Sequence, residues 1–128
     1  GYAIAPAALV ERLASLSLTW PSTTGLAAAI ASFNDREFLR KTRAALVGDR
    51  TRVHAALDRM GLQRSEAMGN FVFFNTGAPL KRFQDRMLAE GIKVGRRFDG
   101  YDNWARVTIG VQGEVDRFLE ALPRALGA

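Results

Sequence analysis

The sequence predicts an α/β domain in which helices pack on a small, three-stranded mixed sheet of the split βαβ type. Three short runs have strand character, being apolar or alternating over four to six residues: Phe71–Phe74, Ile92–Arg96 and Trp104–Ile109. A helical pattern separates the first two runs, and another follows the third. A right-handed crossover makes the first two strands parallel, so we expect the third to lie antiparallel between them.

The amino-acid composition excludes several classes of function. The chain has 128 residues and 48% hydrophobic content, which suits one core of ordinary size. Without cysteine and with a single histidine, it has no disulfide, no catalytic thiol and no histidine-based metal cluster, so we predict no metal. The net charge of +5 favours acidic small molecules over nucleic acid. No apolar run has the length of a membrane span and no secretory signal is visible, so we expect a cytoplasmic protein without a membrane partner.

The first 33 residues read as a junction with a larger partner. Gly1–Ala5 resembles the end of a buried strand, and a helix follows from Pro6 to about Ser17. After a break at Pro21, Gly25–Phe33 forms a helix that is small and apolar nearly all round. A helix of this composition needs a large apolar partner. We therefore expect the chain to be a piece of a longer protein, with residues 1–33 at the boundary.

A long basic helix follows. A cap residue, Asn34, stands three positions before Glu37, and the pattern continues to Met60, with Gly61 ending the helix. An apolar residue recurs at every seventh position, and most arginines lie off that stripe. A basic helix can contact DNA, but we interpret its charges as a solvated face. His54 has no partner visible in the sequence, and we interpret it as structural.

The second half supplies the sheet and two more helices. Phe71–Phe74 is apolar on both faces, which predicts a strand covered on both sides. A helix opens at Pro79 and ends at Gly91. The last helix carries its apolar face between Val115 and Leu126, and Pro123 should bend or fray its final turn.

Arg106 is the candidate binding residue that the pattern itself indicates. The alternation of Trp104–Ile109 puts this arginine on the face opposite Ala105, Val107 and Ile109. A guanidinium in the middle of a strand is costly to desolvate unless an anion or a polar cleft meets it. Arginine also holds a carboxylate through two parallel hydrogen bonds. The alternative is a surface arginine on an edge strand.

The order of the segments resembles a known family. Gly1–Ala5, a prolyl break, a long helix, Met68–Phe73, Glu90–Val94 and Ala105–Gly110 follow one another as in the C-terminal half of class I/II pyridoxal-phosphate aminotransferases. The resemblance is nearest to the histidinol-phosphate aminotransferase branch and covers essentially the whole chain. It implies that residues 34–128 form the small domain of a fold-type-I enzyme whose large domain holds the cofactor.

The resemblance also implies an activity. The parent enzyme would transfer an amino group between an amino acid, or a histidinol-phosphate-like amine, and a 2-oxo acid, as a homodimer that binds pyridoxal 5'-phosphate. The lysine of the Schiff base would precede Gly1. Lys41, Lys81 and Lys93 lack the serine-lysine context of that residue. We therefore expect this chain alone to be inactive and to bind no cofactor.

Residue by residue, the resemblance assigns two substrate-binding positions. Arg106 falls on the family arginine that binds the substrate α-carboxylate, and Asn70 on the asparagine that opens a strand of the small domain. Holding the turn before that strand is the alternative role for Asn70. Tyr2 is near the cofactor region by position only. Ala105 replaces a family leucine, and residues 96–97 are a double arginine, so the substrate side chain stays open.

Two other functions are compatible with the sequence. The first is a small basic α/β module that binds nucleic acid or an acidic ligand without catalysis. RNA-binding sheets carry exposed aromatic residues on adjacent strands, whereas Phe71–Phe74 are expected in the core, which disfavours this function. The second is a regulatory amino-acid-binding domain, which would use backbone and loop contacts and need no arginine in the middle of a strand.

Overall fold

The computed structural model describes residues 4–17, 20 and 22–127. The chain divides into two compact units, Gly1–Leu39 and Arg40–Ala128. Tyr2, Pro21 and most of the expected strand at the start of the chain lie outside the described residues. Ile4, which is described, is exposed and belongs to no regular element.

The first unit contains two of the expected helices, α1 (Ala7–Leu16) and α2 (Thr23–Asn34). The Oγ atom of Ser22 accepts a hydrogen bond from the amide of Gly25 and so caps α2. Neither helix has a buried residue, and Phe33 at the end of α2 is 73% exposed. This confirms the expectation that the apolar surface of the Gly25–Phe33 helix is poorly covered.

The long helix α3 (Arg36–Arg59) begins one residue later than predicted. Its cap is Asp35, whose Oδ1 atom accepts the amide of Phe38 at 2.9 Å, and not Asn34. The helix ends at Arg59, one residue before the predicted Met60, and Gly61 terminates it as predicted. Gly61 adopts a φ of 67°, and its amide and the next one bond back to helix carbonyls, which closes the last turn.

The sheet has two strands in the described part of the chain, β1 (Phe71–Asn75) and β2 (Trp104–Thr108), which pair antiparallel. The predicted strand at residues 92–96 is therefore wrong. Gly95 donates its amide to the carbonyl of Arg106 at 3.3 Å, so this segment does run beside β2. Its own carbonyl accepts the side-chain amide of Gln84 at 2.7 Å, and so it is bonded to a helix side chain.

Two further helices, α4 (Leu80–Ala89) and α5 (Gln112–Leu126), complete the second unit. α5 continues through Pro123 and ends at Gly127, where φ is 90°. The core joins one sheet face to α3, α4 and α5. Its most buried side chains are Val53, Leu57, Val72, Phe74, Phe83, Met87, Ala105 and Leu122. None of the helices in the described ranges has the length and apolar character needed to cross a membrane.

Leu57 provides a test of this core. Its side chain is fully buried, so Leu57→Ala should lower the free energy of unfolding by about 2–5 kcal/mol through the lost burial and the cavity. Leu88→Ala is the matched control, because Leu88 is 62% exposed, and it should change stability by less than about 0.5 kcal/mol. Urea unfolding followed by circular dichroism measures both. Equal losses in the two variants would show that the core is misassigned.

Candidate functional site

Arg106 lies on the outer face of the sheet, away from the core. It pairs with Phe73 across the two strands, and its neighbour Ala105 is fully buried on the opposite face. The guanidinium carbon lies 4.4 Å from the centroid of the Phe71 ring, within the range of a cation–π contact. With the carboxylates of the described residues, Arg106 forms no ion pair. The predicted orientation of this side chain is confirmed.

The outer face of β1 carries an aromatic cluster. The ring centroid of Phe73 lies 6.0 Å from that of Phe98, 5.2 Å from Tyr101 and 4.9 Å from Trp104. Phe73 is consequently half-buried by aromatic side chains from the loop before β2 and from β2 itself. Phe71 is also half-buried, and its ring contacts Arg106. The sequence predicted a strand covered on both sides, and the outer face of β1 is covered only in part. Phe71 and Phe73 therefore lie outside the core. The argument against an RNA-binding sheet, which placed all four residues of Phe71–Phe74 in the core, no longer holds.

Two cavities meet at Arg106. The smaller has a volume of about 350 Å³ and is lined by Arg106 and by Phe71, Phe73, Phe98 and Tyr101. The larger, about 530 Å³, lies between β2, residues 91–96 and the start of α5. Its charged lining residues are Lys93, Arg96, Arg106, Glu114 and Arg117. Four cations face one carboxylate there, so the local field favours an anion.

Asn70 stands at the entrance of β1, one residue before the ring that supports Arg106. Its carbonyl accepts the amide of Ile109 at 2.9 Å, which extends the pairing of the two strands by one bond. The residue is exposed, and its side-chain amide makes no hydrogen bond to any described residue. The contact that holds the turn is thus made by the main chain of Asn70.

Arg50 contributes to the site and was not predicted from the sequence. It is 8% exposed, and its Nη1 atom donates to the carbonyls of Met68 and Gly69, both at 2.8 Å. A signal was present: Arg50 falls four residues after Leu46 and three before Val53, and so lies on the apolar stripe of α3. An arginine at such a position is buried and needs partners.

His54, Lys81 and Lys93 have settings that fit no cofactor attachment. The Nε2 atom of His54 is buried without a hydrogen-bond partner, and the described residues hold no cluster of metal ligands. Lys81 is paired with Asp85 on α4. Lys93 lines the larger cavity, but no base or activating neighbour is bonded to it among the described residues. The settings of Lys81 and Lys93 therefore do not fit covalent attachment of pyridoxal phosphate.

Known proteins have similar sequences. The family model for aminotransferase class I and II matches residues 1–122. The chain belongs to this family. It is 38% identical over 101 residues to histidinol-phosphate aminotransferase 1 of Mesorhizobium japonicum, covering 78% of this chain and 28% of that protein. It is 32% identical over 130 residues to histidinol-phosphate aminotransferase 1 of Archaeoglobus fulgidus, covering 99% of this chain and 40% of that protein.

A solved structure has the same fold. Histidinol-phosphate aminotransferase from Sinorhizobium meliloti, in complex with pyridoxal-5'-phosphate, aligns with a TM-score of 0.69 at 24% identity, over 80% of this chain and 29% of that one. The chain spans 28% to 40% of the length of the curated relatives named above. It thus corresponds to one part of an aminotransferase of this family.

A substitution at Gly95 tests how closely residues 92–96 approach the main chain of Arg106. A Cβ atom at Gly95 would lie 2.7 Å from the carbonyl oxygen of Arg106. Gly95→Ala should therefore push residues 92–96 away from β2 and cost about 1–3 kcal/mol of unfolding free energy. Gly48→Ala is the control: its Cβ would meet nothing within 4 Å in the interior of α3, so it should stabilise the helix by up to about 1 kcal/mol. A neutral Gly95→Ala in urea titrations would contradict this geometry.

His54 predicts a pH dependence. Burial, followed by the nearby charge of Arg64, lowers the pKa of His54 below its usual value near 6.5. The unfolded chain then binds the proton more tightly, so stability falls as pH drops from 7 to 5. Hydrogen bonds to arginine also lower the pKa values of the Asp58 and Glu90 carboxyls. Their contribution to stability is lost only in more acidic solution, where these carboxylates become protonated.

His54→Gln should flatten the change in unfolding free energy between pH 7 and pH 5. Urea titrations of both proteins at the two pH values measure it. The same pH slope in the variant and in the parent chain would assign the effect to another group.

Proposed function

We propose that this chain is the C-terminal segment of a pyridoxal-phosphate-dependent aminotransferase in which Arg106 holds the substrate carboxylate. The enzyme transfers an amino group between an amino acid, or a histidinol-phosphate-like amine, and a 2-oxo acid. The observation that carries the proposal is that the guanidinium carbon of Arg106 lies 4.4 Å from the centroid of the Phe71 ring and that Arg106 lines two cavities. It has no carboxylate partner among the described residues.

This contact supports a carboxylate as the ligand. The Phe71 ring contacts the guanidinium through its π-face and takes no conventional hydrogen bond from it. The planar set of N–H donors of Arg106 therefore stays available to a ligand. Two parallel donors match the two oxygens of a carboxylate and fix its orientation in a plane. Fixing the carboxylate orients the α-carbon that it is bonded to, and orientation is a large part of catalysis. The excess of cations around the larger cavity favours the same ligand.

We assign Asn70 a supporting role in the same site. Its exposed side-chain amide is one residue from Phe71, and it is not engaged by described residues. An amide can accept a hydrogen bond from a substrate or donate one to it. Tyr2 precedes the described residues, and its place near the cofactor stays a prediction.

The rest of the proposal concerns the parent enzyme. Pyridoxal phosphate supplies the electron sink for amino-group transfer, and the lysine that holds it belongs to another part of the protein. We propose that residues 1–33 join that part and that residues 34–128 form the small domain, within a cytoplasmic homodimer. The apolar side chains that α1 and α2 leave exposed support a protein partner for residues 1–33.

Binding of single-stranded nucleic acid is the second candidate. The aromatic outer face of β1 and the basic charge favour it, since bases stack on such rings. Against it, three rings already lie within 6.0 Å of Phe73, which limits stacking on that residue. Membership of the aminotransferase family also favours the first candidate.

Arg106 variants of the complete enzyme test the first candidate. Arg106→Ala should lower kcat/KM by tens- to thousands-fold, about 2–5 kcal/mol of transition-state binding, because a charge-assisted, bidentate contact is lost. Arg106→Lys retains the charge but not the planar fork and should recover only part of the loss. Folding should be retained, because the side chain lies on the outer face.

The matched control is Arg59→Ala, which removes an exposed arginine at the end of α3. It should have the kinetics of the unmodified enzyme. Unchanged kinetics in Arg106→Ala would refute the carboxylate role, and tight binding of a single-stranded oligonucleotide by the same protein would favour the second candidate.

A further inference from the structure

Arg50 lies on the face of α3 that packs on the core. A guanidinium that is 8% exposed has lost most of its hydration, which is costly unless its donors are bonded. Its Nη1 atom donates to two consecutive carbonyls, those of Met68 and Gly69, at 2.8 Å each. Within the described chain these bonds go to the main chain and not to a carboxylate. Arg50 therefore fixes the turn that leads into β1.

That turn lies against the ring that supports Arg106. A Cβ atom built on Gly69 would be 3.0 Å from Cε1 and 3.2 Å from Cδ1 of Phe71, so the ring edge lies directly against the glycine. The same ring lies 4.4 Å from the guanidinium carbon of Arg106. A continuous series of contacts thus runs from Arg50 through Gly69 and Phe71 to Arg106.

We propose that Arg50 is a positioning residue for Arg106, acting through Gly69 and Phe71. The inference rests on the proposed carboxylate role of Arg106. Arg50 acts at a distance from Arg106, because its Nη1 atom is bonded to the carbonyls of Met68 and Gly69. It sets the position of the turn, the turn sets the place of the Phe71 ring, and the ring sets the plane of the Arg106 guanidinium.

The energetics favour positioning over simple burial. A methionine at position 50 would fill the apolar stripe of α3 without the desolvation cost of a charge. What arginine adds is a charge-assisted bond to two adjacent carbonyls, which restrains the turn. Binding groups need placement within about 0.5 Å, and a displacement of about 1 Å can cost on the order of a hundredfold in rate. A turn that is less restrained should therefore displace the guanidinium of Arg106 and weaken its binding of the carboxylate.

The test uses the complete aminotransferase with its cofactor bound, and succinate as a simple carboxylate probe that competes with substrate. Arg50→Met should weaken succinate binding about tenfold or more, and Arg50→Lys should recover part of the loss. Gly69→Ala should also weaken binding, because the new methyl group displaces the Phe71 ring by a few tenths of an ångström. Arg59→Met, an exposed arginine of the same helix, is the control and should bind succinate normally.

A double-mutant cycle separates positioning from general stability. If Arg50 acts through Arg106, then Arg50→Met should weaken succinate binding no further in a protein that already carries Arg106→Ala. A purely structural role would lower affinity by the same factor in both backgrounds, and that result overturns the inference. Gly69→Ala leaves the bonds of Arg50 to the carbonyls possible, so it provides the same comparison if Arg50→Met does not fold.

The outcomes distinguish the inference from the function on which it rests. Normal succinate binding in Arg106→Ala removes the carboxylate role and the inference with it. Weak binding in Arg106→Ala, together with normal binding in Arg50→Met and Gly69→Ala, overturns the positioning role alone. Weak binding in all three, without further loss on combination, supports both.

Discussion

The register of the two strands is the constraint on which the second unit depends. Because Phe73 stands opposite Arg106, one face of the pair carries Val72, Phe74 and Ala105, and the other carries the aromatic and cationic side chains. Side chains alternate with a period of two, so a slip of one residue would exchange the faces and bury the guanidinium. The same pairing that builds the core therefore also exposes the candidate site.

A two-stranded pair of this length is not stable alone, and its surroundings supply what it lacks. Residues 63–65 run beside β1, where Ser65 donates to the carbonyl of Phe73 and the amide of Asn75 donates to Gln63, both at 2.8 Å. Gly95 occupies the far edge of β2. Irregular segments thus satisfy polar groups on both edges, which protects them from pairing with other chains. The helices of the core cover only the core face, and the outer face is covered in part by aromatic side chains.

Periodicity predicted the helices, the β2 alternation and the orientation of Arg106, because each of these is set by nearby residues. The prediction of a strand at residues 92–96 was wrong: this segment makes a backbone hydrogen bond to β2 at Gly95, and the carbonyl of Gly95 bonds to a side chain of α4. A pattern of apolar residues does not report such tertiary bonds. Phe71–Phe74 predicted burial on two faces, but not that other aromatic residues, instead of a helix, would cover one of them. Arg50 was counted with the solvated charges, although its spacing from Val53 places it on the apolar stripe.

The two units expose different kinds of side chain, and these favour different binding partners. In the first unit they are apolar: Ile30 and Phe33 on α2 are 63% and 73% exposed. Covering apolar area yields about 25 cal/mol per Å², a gain that requires a large complementary surface and so favours protein. In the second unit the unsatisfied group is the Arg106 cation, which already contacts the Phe71 ring and gains most from a planar anion. A segment spanning 28% to 40% of its relatives' length can have both needs at once. In the proposed function, further polypeptide covers the apolar side chains of the first unit. A small acidic substrate binds the guanidinium of the second.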